Sequence, residues 1–244
     1  MKLKVLGSSS KGNCYLFIGE TETLIIDAGI NLKKVKEALN FDLSNVSGLL
    51  LDHSHGDHSK FVESFMNAGI DCYSSKECFN ELDITHHRAH EIKEQVLYKV
   101  GGFKVIPFPL QHEVKNYGFL VSHPECGNFC FVTDTHFCRY RFKNLNNILI
   151  EANHDINIID ERLMEGKGNP ALMNRIITSH MEINTTREFL ASNDLSKVNS
   201  IVLIHLSDSN SDAERFQREI KDQTGKNVHV AEAGMEIEFN AKPF

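Results

Sequence analysis

The segment Leu51-Asp52-His53-Ser54-His55-Gly56-Asp57-His58 carries three histidines within six residues and follows directly on the apolar run Val46-Ser-Gly-Leu-Leu-Leu51. Strand side chains alternate with a period of two, so His53 and His55 emerge on the same side. The following stretch, Asp57 to Met66, reads as a helix and puts Asp57 and His58 at its start. This geometry offers two nitrogens to one ion, and a carboxylate plus a nitrogen to a second. Imidazole and carboxylate donors suit zinc, with manganese or iron as alternatives. A solvated polar loop that is merely His-rich is the competing reading. The choice depends on whether the rest of the chain supplies the missing ligands.

It does so at three strand ends. His112 follows Val105-Ile-Pro-Phe-Pro-Leu-Gln111, Asp134 follows Phe129-Cys-Phe-Val-Thr133, and His205 follows Ile201-Val-Leu-Ile204. Each is a polar residue closing an apolar run, the kind of position that often carries chemistry. A two-metal hydrolase needs a third nitrogen on the first ion, a bridging carboxylate, and a nitrogen on the second ion. One strand-end His or Asp is unremarkable, but all three in this order are a strong signal.

Between these points the chain alternates strands and helices. Strands are expected at 2–6, 14–18, 23–26, 46–51, 72–74, 96–100, 103–109, 117–122, 128–133, 147–150, 199–204, 227–231 and 235–239. Helices are expected at 32–39, 76–83, 156–165, 170–178, 184–192 and 211–222, with Asn31 and Ser75 as N-caps. Gly19-Glu-Thr-Glu22 and Gly101-Gly102 read as hairpin turns. The rhythm argues for a layered α/β architecture in a single domain, 1–244. The turn-rich Gly7-Ser-Ser-Ser-Lys-Gly-Asn13 is equally an anion-binding loop or an ordinary strand connection. His86 and His90 stand at helical i, i+4 spacing, although a solvated face is the simpler reading.

Composition sets the boundaries. With 41% apolar and 24% charged residues in 244, the chain is an ordinary water-soluble one with material for a sizeable core. The amino terminus has no long apolar segment of the signal-peptide kind, and no run is long enough to span a bilayer. The six cysteines form no C-x-x-C pair, and buried thiols in a reducing cytoplasm are expected. Nothing requires Cys126 and Cys130 to pair. The net charge is −7; two divalent ions would leave about −3. Proteins that grip long nucleic acids usually neutralise several phosphates with Lys and Arg, so the balance leans to a small substrate.

The H-x-H-x-D-H order, with His112, Asp134 and His205 behind it, resembles the signature of the metallo-β-lactamase fold hydrolases, and the likeness runs from Asp27 to His205. It implies a four-layer αββα sandwich holding two divalent ions, Zn2+ foremost and Mn2+ as the alternative. His53, His55 and His112 would hold the first ion, and Asp57, His58 and His205 the second, with Asp134 bridging. Asp27 and Glu151 would support these ligands from behind. His58 fills a place that differs in the true β-lactamases, which disfavours antibiotic hydrolysis. Tyr117-Gly-Phe119 and Ser179-His-Met-Glu182 resemble the phosphodiesterase branch that includes ribonuclease Z, where a histidine at the position of His180 contacts phosphate or protonates the leaving group. Glu151-Ala-Asn-His-Asp155 and His205-Leu-Ser-x-x-Asn210 are similar to the YycJ (WalJ)-like proteins, and size and amino terminus resemble phage anti-Pycsar phosphodiesterases.

These resemblances imply a cytoplasmic phosphodiesterase, of a bacterium or a phage-infected cell, that opens cyclic mononucleotides (cAMP, cGMP, cCMP, cUMP) and evades cyclic-nucleotide defence. Asp57 would orient the nucleophile, and His180 would protonate the leaving oxygen. Substrate contacts are expected from Ser207 and Asn210. His136, Arg139 and Tyr140 join them from a segment that interleaves aromatic and basic residues, and that reads equally as an edge strand. The alternatives are a WalJ-like DNA or RNA nuclease, and a thioesterase or lactonase on the same scaffold. A homodimer without membrane contact is expected by the same resemblance.

Overall fold

The computed structural model describes residues 1–242. The strands are β1 (Lys2–Gly7), β2 (Cys14–Ile18), β3 (Thr23–Ile26), β4 (Val46–Leu50), β5 (Cys72–Ser74), β6 (Ala89–Glu91), β7 (Tyr98–Val100), β8 (Phe103–Leu110), β9 (Asn116–His123), β10 (Gly127–Val132), β11 (Asn147–Glu151), β12 (Ser200–Ile204), β13 (Asn227–Val230) and β14 (Glu236–Glu238). The helices are α1 (Leu32–Ala38), α2 (Gly56–Ser59), α3 (Val62–Asn67), α4 (Lys76–Glu81), α5 (Ile156–Met164), α6 (Pro170–Ser179), α7 (Ile183–Ser192) and α8 (Ala213–Thr224).

The strands form two seven-stranded sheets, ordered β14-β1-β2-β3-β4-β5-β6 and β13-β12-β11-β10-β9-β8-β7. One core lies between them, where Leu3, Val5, Tyr15 and Phe17 meet Val105, Phe119, Phe129 and Phe131. Phe17 and Phe129 stack across it at 4.6 Å between centroids. The outer face of the first sheet buries Val35, Phe65, Met66 and Phe79 of α1, α3 and α4. The outer face of the second buries Phe189, Leu190, Phe216 and Ile220 of α7 and α8. The result is a layered αββα sandwich, in which covering both faces of β11 and β12 (NILIE and SIVLI, wholly buried) requires their near-continuous apolar sequence.

Parallel pairing then positions the chemistry. β3, β4 and β5 run parallel in one sheet, and β10, β11, β12 and β13 run parallel in the other. Polar residues at their carboxyl ends therefore gather along one edge, the usual place for ligands in such sheets. Asn31 and Ser75 cap α1 and α4 as expected, accepting from Lys33 N and Cys78 N. Two local expectations change. The helix beginning near Asp57 breaks at Lys60–Phe61 into α2 and α3, because Phe61 N bonds Ala28 O of the neighbouring loop rather than a helical carbonyl. His86 and His90 do not share a helix: His90 lies in β6 with Asp71 at 3.2 Å, and His86 stacks on His87.

Candidate metal centre

Three of the residues that close strands sit in left-handed backbone conformations: Asp27 (φ 67°), Asp134 (φ 50°) and His205 (φ 54°). Asp and His tolerate this region better than branched residues do. At each, the chain leaves the sheet sharply and the side chain turns into the shared edge.

There the donor atoms form two overlapping groups, His53–His55–His112–Asp134 and Asp57–His58–His205–Asp134, each with its atoms within 4.8 Å of one another. In the first, His112 Nε2 lies 3.1 Å from His55 Nδ1 and 3.8 Å from Asp134 Oδ2, and His53 Nε2 lies 3.7 Å from the same oxygen. In the second, Asp57 Oδ2 is 3.4 Å from His58 Nε2 and 3.3 Å from His205 Nε2. His58 Nε2 is 3.5 Å from Asp134 Oδ2, so that carboxylate faces both groups. These donors suit divalent cations. The buried His53 Nε2, which has no hydrogen-bond partner, is an orphan that a cation would satisfy.

The rings are held from behind. His58 Nδ1 donates to Asp27 Oδ2 at 3.0 Å, and His112 Nδ1 donates to the Ser179 carbonyl at 3.1 Å. Glu151 Oε1 takes His180 Nδ1 at 2.7 Å and lies 3.3 Å from His205 Nδ1. Asp52 was not singled out in the sequence, yet its buried carboxylate accepts from His53 N (2.6 Å) and Nδ1 (2.9 Å) and lies 3.1 Å from His58 Nδ1. Its position directly before the first histidine was the only available signal. Asn13 was also missed as a support. Its side chain donates to Ser9 O and Asp57 O, and Ser8 Oγ accepts from His205 N at 2.9 Å. The Gly7–Asn13 loop thus braces the ligands.

Electrostatics follow from burial and crowding. Burial lowers His112 to about 4 and lowers His55 as well, so both are neutral donors at pH 7. Burial opposes charge on His205 too, but Asp134, Asp57 and Glu151 outweigh it and raise His205 to about 10. For Asp57, burial is overcome by the His205 and His58 hydrogen bonds, which hold the carboxyl below its usual range. His180 is likewise raised, with Glu151 overcoming burial.

A cavity of about 480 Å³ opens over this cluster, lined on one side by His55, Asp57, Asp134 and His205 and on the other by α6. His180, Ser207 and Asn210 line it. His136, Arg139 and Tyr140 are not among its lining residues. Tyr140 packs on Phe108 and Phe142 at 5.2 and 6.5 Å between centroids, Arg139 lies over the Tyr140 ring, and His136 Nδ1 donates to Ile177 O. Tyr140 and Phe142 of that segment are used for packing, whereas Phe137 is exposed. Glu182 caps α7, accepting from Asn184 N and Thr185 N.

The profile of the metallo-beta-lactamase superfamily matches residues 9–72. The metallo-β-lactamase fold protein YhfI of Bacillus subtilis superposes with a TM-score of 0.74 at 14% identity, covering 97% of this chain and 98% of that one. The chain has the metallo-β-lactamase fold. It is 27% identical to exodeoxyribonuclease YycJ of Bacillus anthracis over 86% of this chain and 84% of that protein. It is 24% identical to exodeoxyribonuclease WalJ of Streptococcus pneumoniae serotype 2 over 98% of this chain and 92% of that protein. The two candidate ligand groups, consistent with a dinuclear site, thus lie in a matching scaffold. No helix among the described residues is long and apolar enough to cross a membrane.

Proposed function

We propose that this metal-dependent hydrolase is a phosphodiesterase that cleaves nucleotide phosphodiesters. One observation carries the reading: His180, hydrogen-bonded to Glu151 and stacked on His205 at 5.3 Å between centroids, lines the cavity beside Asp57 and both ligand groups. An ester oxygen departing from phosphorus needs a proton, and a histidine whose hold on its proton is strengthened by a buried glutamate can deliver it.

Bound by the seven ligands, two divalent ions (zinc by donor type, manganese as the alternative) would supply an activated water and neutralise phosphoryl charge. The chain's own residues do the rest. Asp57 orients the nucleophile from the floor of the cavity. Glu151 fixes the His180 ring by accepting from Nδ1, which leaves Nε2 to carry the proton toward the leaving oxygen. Asn153 donates to His205 O at 2.8 Å and keeps that ligand's loop closed. α6 walls the cavity and limits water.

Two nucleotide substrates follow. A DNA strand end is favoured by the end-to-end similarity to exodeoxyribonucleases. A cyclic mononucleotide, the anti-Pycsar type of reaction, is supported by the net charge of −7, which suits a small substrate. The test is a panel of single-stranded DNA, cAMP, cGMP, cCMP and cUMP, with bis-p-nitrophenyl phosphate as the generic diester, each with and without added zinc or manganese. Wild type cleaves the generic diester in a metal-dependent way, and the natural substrate is the one cleaved fastest. His180→Ala lowers kcat on that substrate by about 10²–10⁴, and far less on the p-nitrophenyl ester, whose leaving group needs no proton. Cleavage of thioesters or lactones without any diester would overturn the reading. Equal losses on both diesters would remove His180 as the acid.

A further inference from the structure

The cavity over the metal centre is longer than a scissile phosphate requires. Gly168 and Asn169 line it at one end of α6, Leu172 and Ile176 along its length, and His180 at the other end. These positions recur at helical spacing, so one face of α6 forms the wall. Its ten residues, Pro170–Ser179, make that wall about 15 Å long. Successive phosphates of a strand are only about 3.4 Å apart along a B-form axis, so the trench spans more than one nucleotide step.

Two arginines face this trench, and they differ in their partners. Arg175 is neutralised by Glu113, to which its Nε and Nη2 donate at 2.7 Å each. Arg162 of α5 has no ion-pair partner among the described residues, and its Nε is buried without any hydrogen bond. A buried guanidinium N–H with no acceptor is costly, and a guanidinium without an ion-pair partner in a cavity wall suits an anionic ligand that reaches its remaining N–H groups. The scissile phosphate would be met by ions held at the seven ligands and by His180. Arginine is the side chain best matched to a further phosphate, through its planar fork.

We infer that Arg162 binds a second phosphate of the substrate, beyond the one that is cleaved. This rests on the phosphodiesterase reading and deepens it: the substrate carries at least two phosphates, as a DNA end or an oligonucleotide does and a cyclic mononucleotide does not. The aliphatic wall of Leu172 and Ile176 carries no side-chain donor or acceptor, so it accepts a base without reading which one it is.

The experiment compares thymidylyl-thymidine, the same dinucleotide with an added 5′- or 3′-phosphate, and bis-p-nitrophenyl phosphate, using metal-loaded wild type, Arg162→Ala and Arg162→Lys. Wild type is expected to show a KM about tenfold or more lower for one phosphorylated dinucleotide than for the bare one. Arg162→Ala removes that preference while kcat/KM on the bare dinucleotide and the generic diester is unchanged, and Arg162→Lys restores part of it. The inference fails if neither added phosphate is preferred, if the preference survives Arg162→Ala, or if that variant loses equally on the generic diester. Should no diester be cleaved at all, calorimetric binding of the same dinucleotides to the metal-loaded proteins still decides the Arg162 contact. In that case only the phosphodiesterase reading fails.

Discussion

Asp52→Asn isolates how the protein holds its second metal position. The carboxylate serves two donors, with Oδ1 accepting from His53 N and Nδ1, while Oδ2 makes no hydrogen bond and lies 3.1 Å from His58 Nδ1. An amide of the same shape keeps one acceptor. It will turn that oxygen to His53, where two donors wait, and aim its NH2 at His58 Nδ1. His58 must then accept there, which places its proton on Nε2, the atom 3.5 Å from Asp134 Oδ2 that faces the second ligand group. Otherwise it keeps Nδ1–H on Asp27 against a donor. Either outcome weakens one ligand of one ion. Losing such an outer partner typically costs about 10–100-fold in metal affinity, or roughly 1.4–2.7 kcal/mol. His53, still held by two hydrogen bonds, should leave the first ion within about threefold of wild type. Chelator competition followed by elemental analysis reads this directly: stoichiometry falls from two ions per chain to one at chelator levels that leave wild type fully loaded. Equal weakening of both ions, or an unchanged stoichiometry, would refute the tautomer argument.

Three further outcomes are expected. An alanine Cβ at Gly29 would stand 1.7 Å from Asp57 O, so Gly29→Ala must push α2 away from the ligand cluster; activity and metal content should both collapse, and retention of either would show that the loop can relax. His154 is buried with both ring nitrogens unpartnered, and burial lowers it to about 4 from 6.5. The unfolded chain therefore binds its proton first as pH falls, and wild type should lose about 3 kcal/mol between pH 6.5 and 4 that His154→Leu does not lose, as read by denaturant titration across that range. All six cysteines are free and buried, with burial raising Cys126 to about 12; a thiol reagent should therefore find none in the native protein and all six in denaturant. Native reactivity at any of them would contradict the packing.

His112, Asp134 and His205 were legible as polar residues closing apolar runs, and His53, His55, Asp57 and His58 as one His-rich loop, patterns set by local sequence. The same periodicity exposed nearly every strand and helix. Asp52 and Asn13 were hidden for a different reason. Their roles depend on which ring nitrogen they meet, and Asn13 reaches His58 across 45 positions of sequence. The segment from Thr135 to Lys143 was ambiguous because alternating aromatic and basic residues carry the same pattern whether the rings stack a base or fill a core. Only the contact of Tyr140 with Phe108 and Phe142 separates the two. Arg162 gave no signal at all, since an unpaired arginine in a helix looks like any solvated cation until its surroundings are known.

The left-handed residues show how the fold carries the strain of its own site. Asp27, Asp134 and His205 each give up roughly 1–3 kcal/mol in backbone energy, a serious fraction of the roughly 5–15 kcal/mol that stabilises a typical domain. Each is tied down from a remote segment: Asp27 N donates to Leu50 O (2.9 Å), Asn116 Nδ2 donates to Asp134 O (2.8 Å), and His205 N donates to Ser8 Oγ (2.9 Å). Asn116 is wholly buried and Ser8 nearly so, so water competes little for either bond. The turns therefore persist because two buried polar side chains and one strand carbonyl satisfy their backbone groups. The side chains of Asp134 and His205 are aimed at the metal positions, with Asp27 behind His58. Because these backbone bonds are supplied by the protein itself, the affinity of the ions need not be spent on holding the turns.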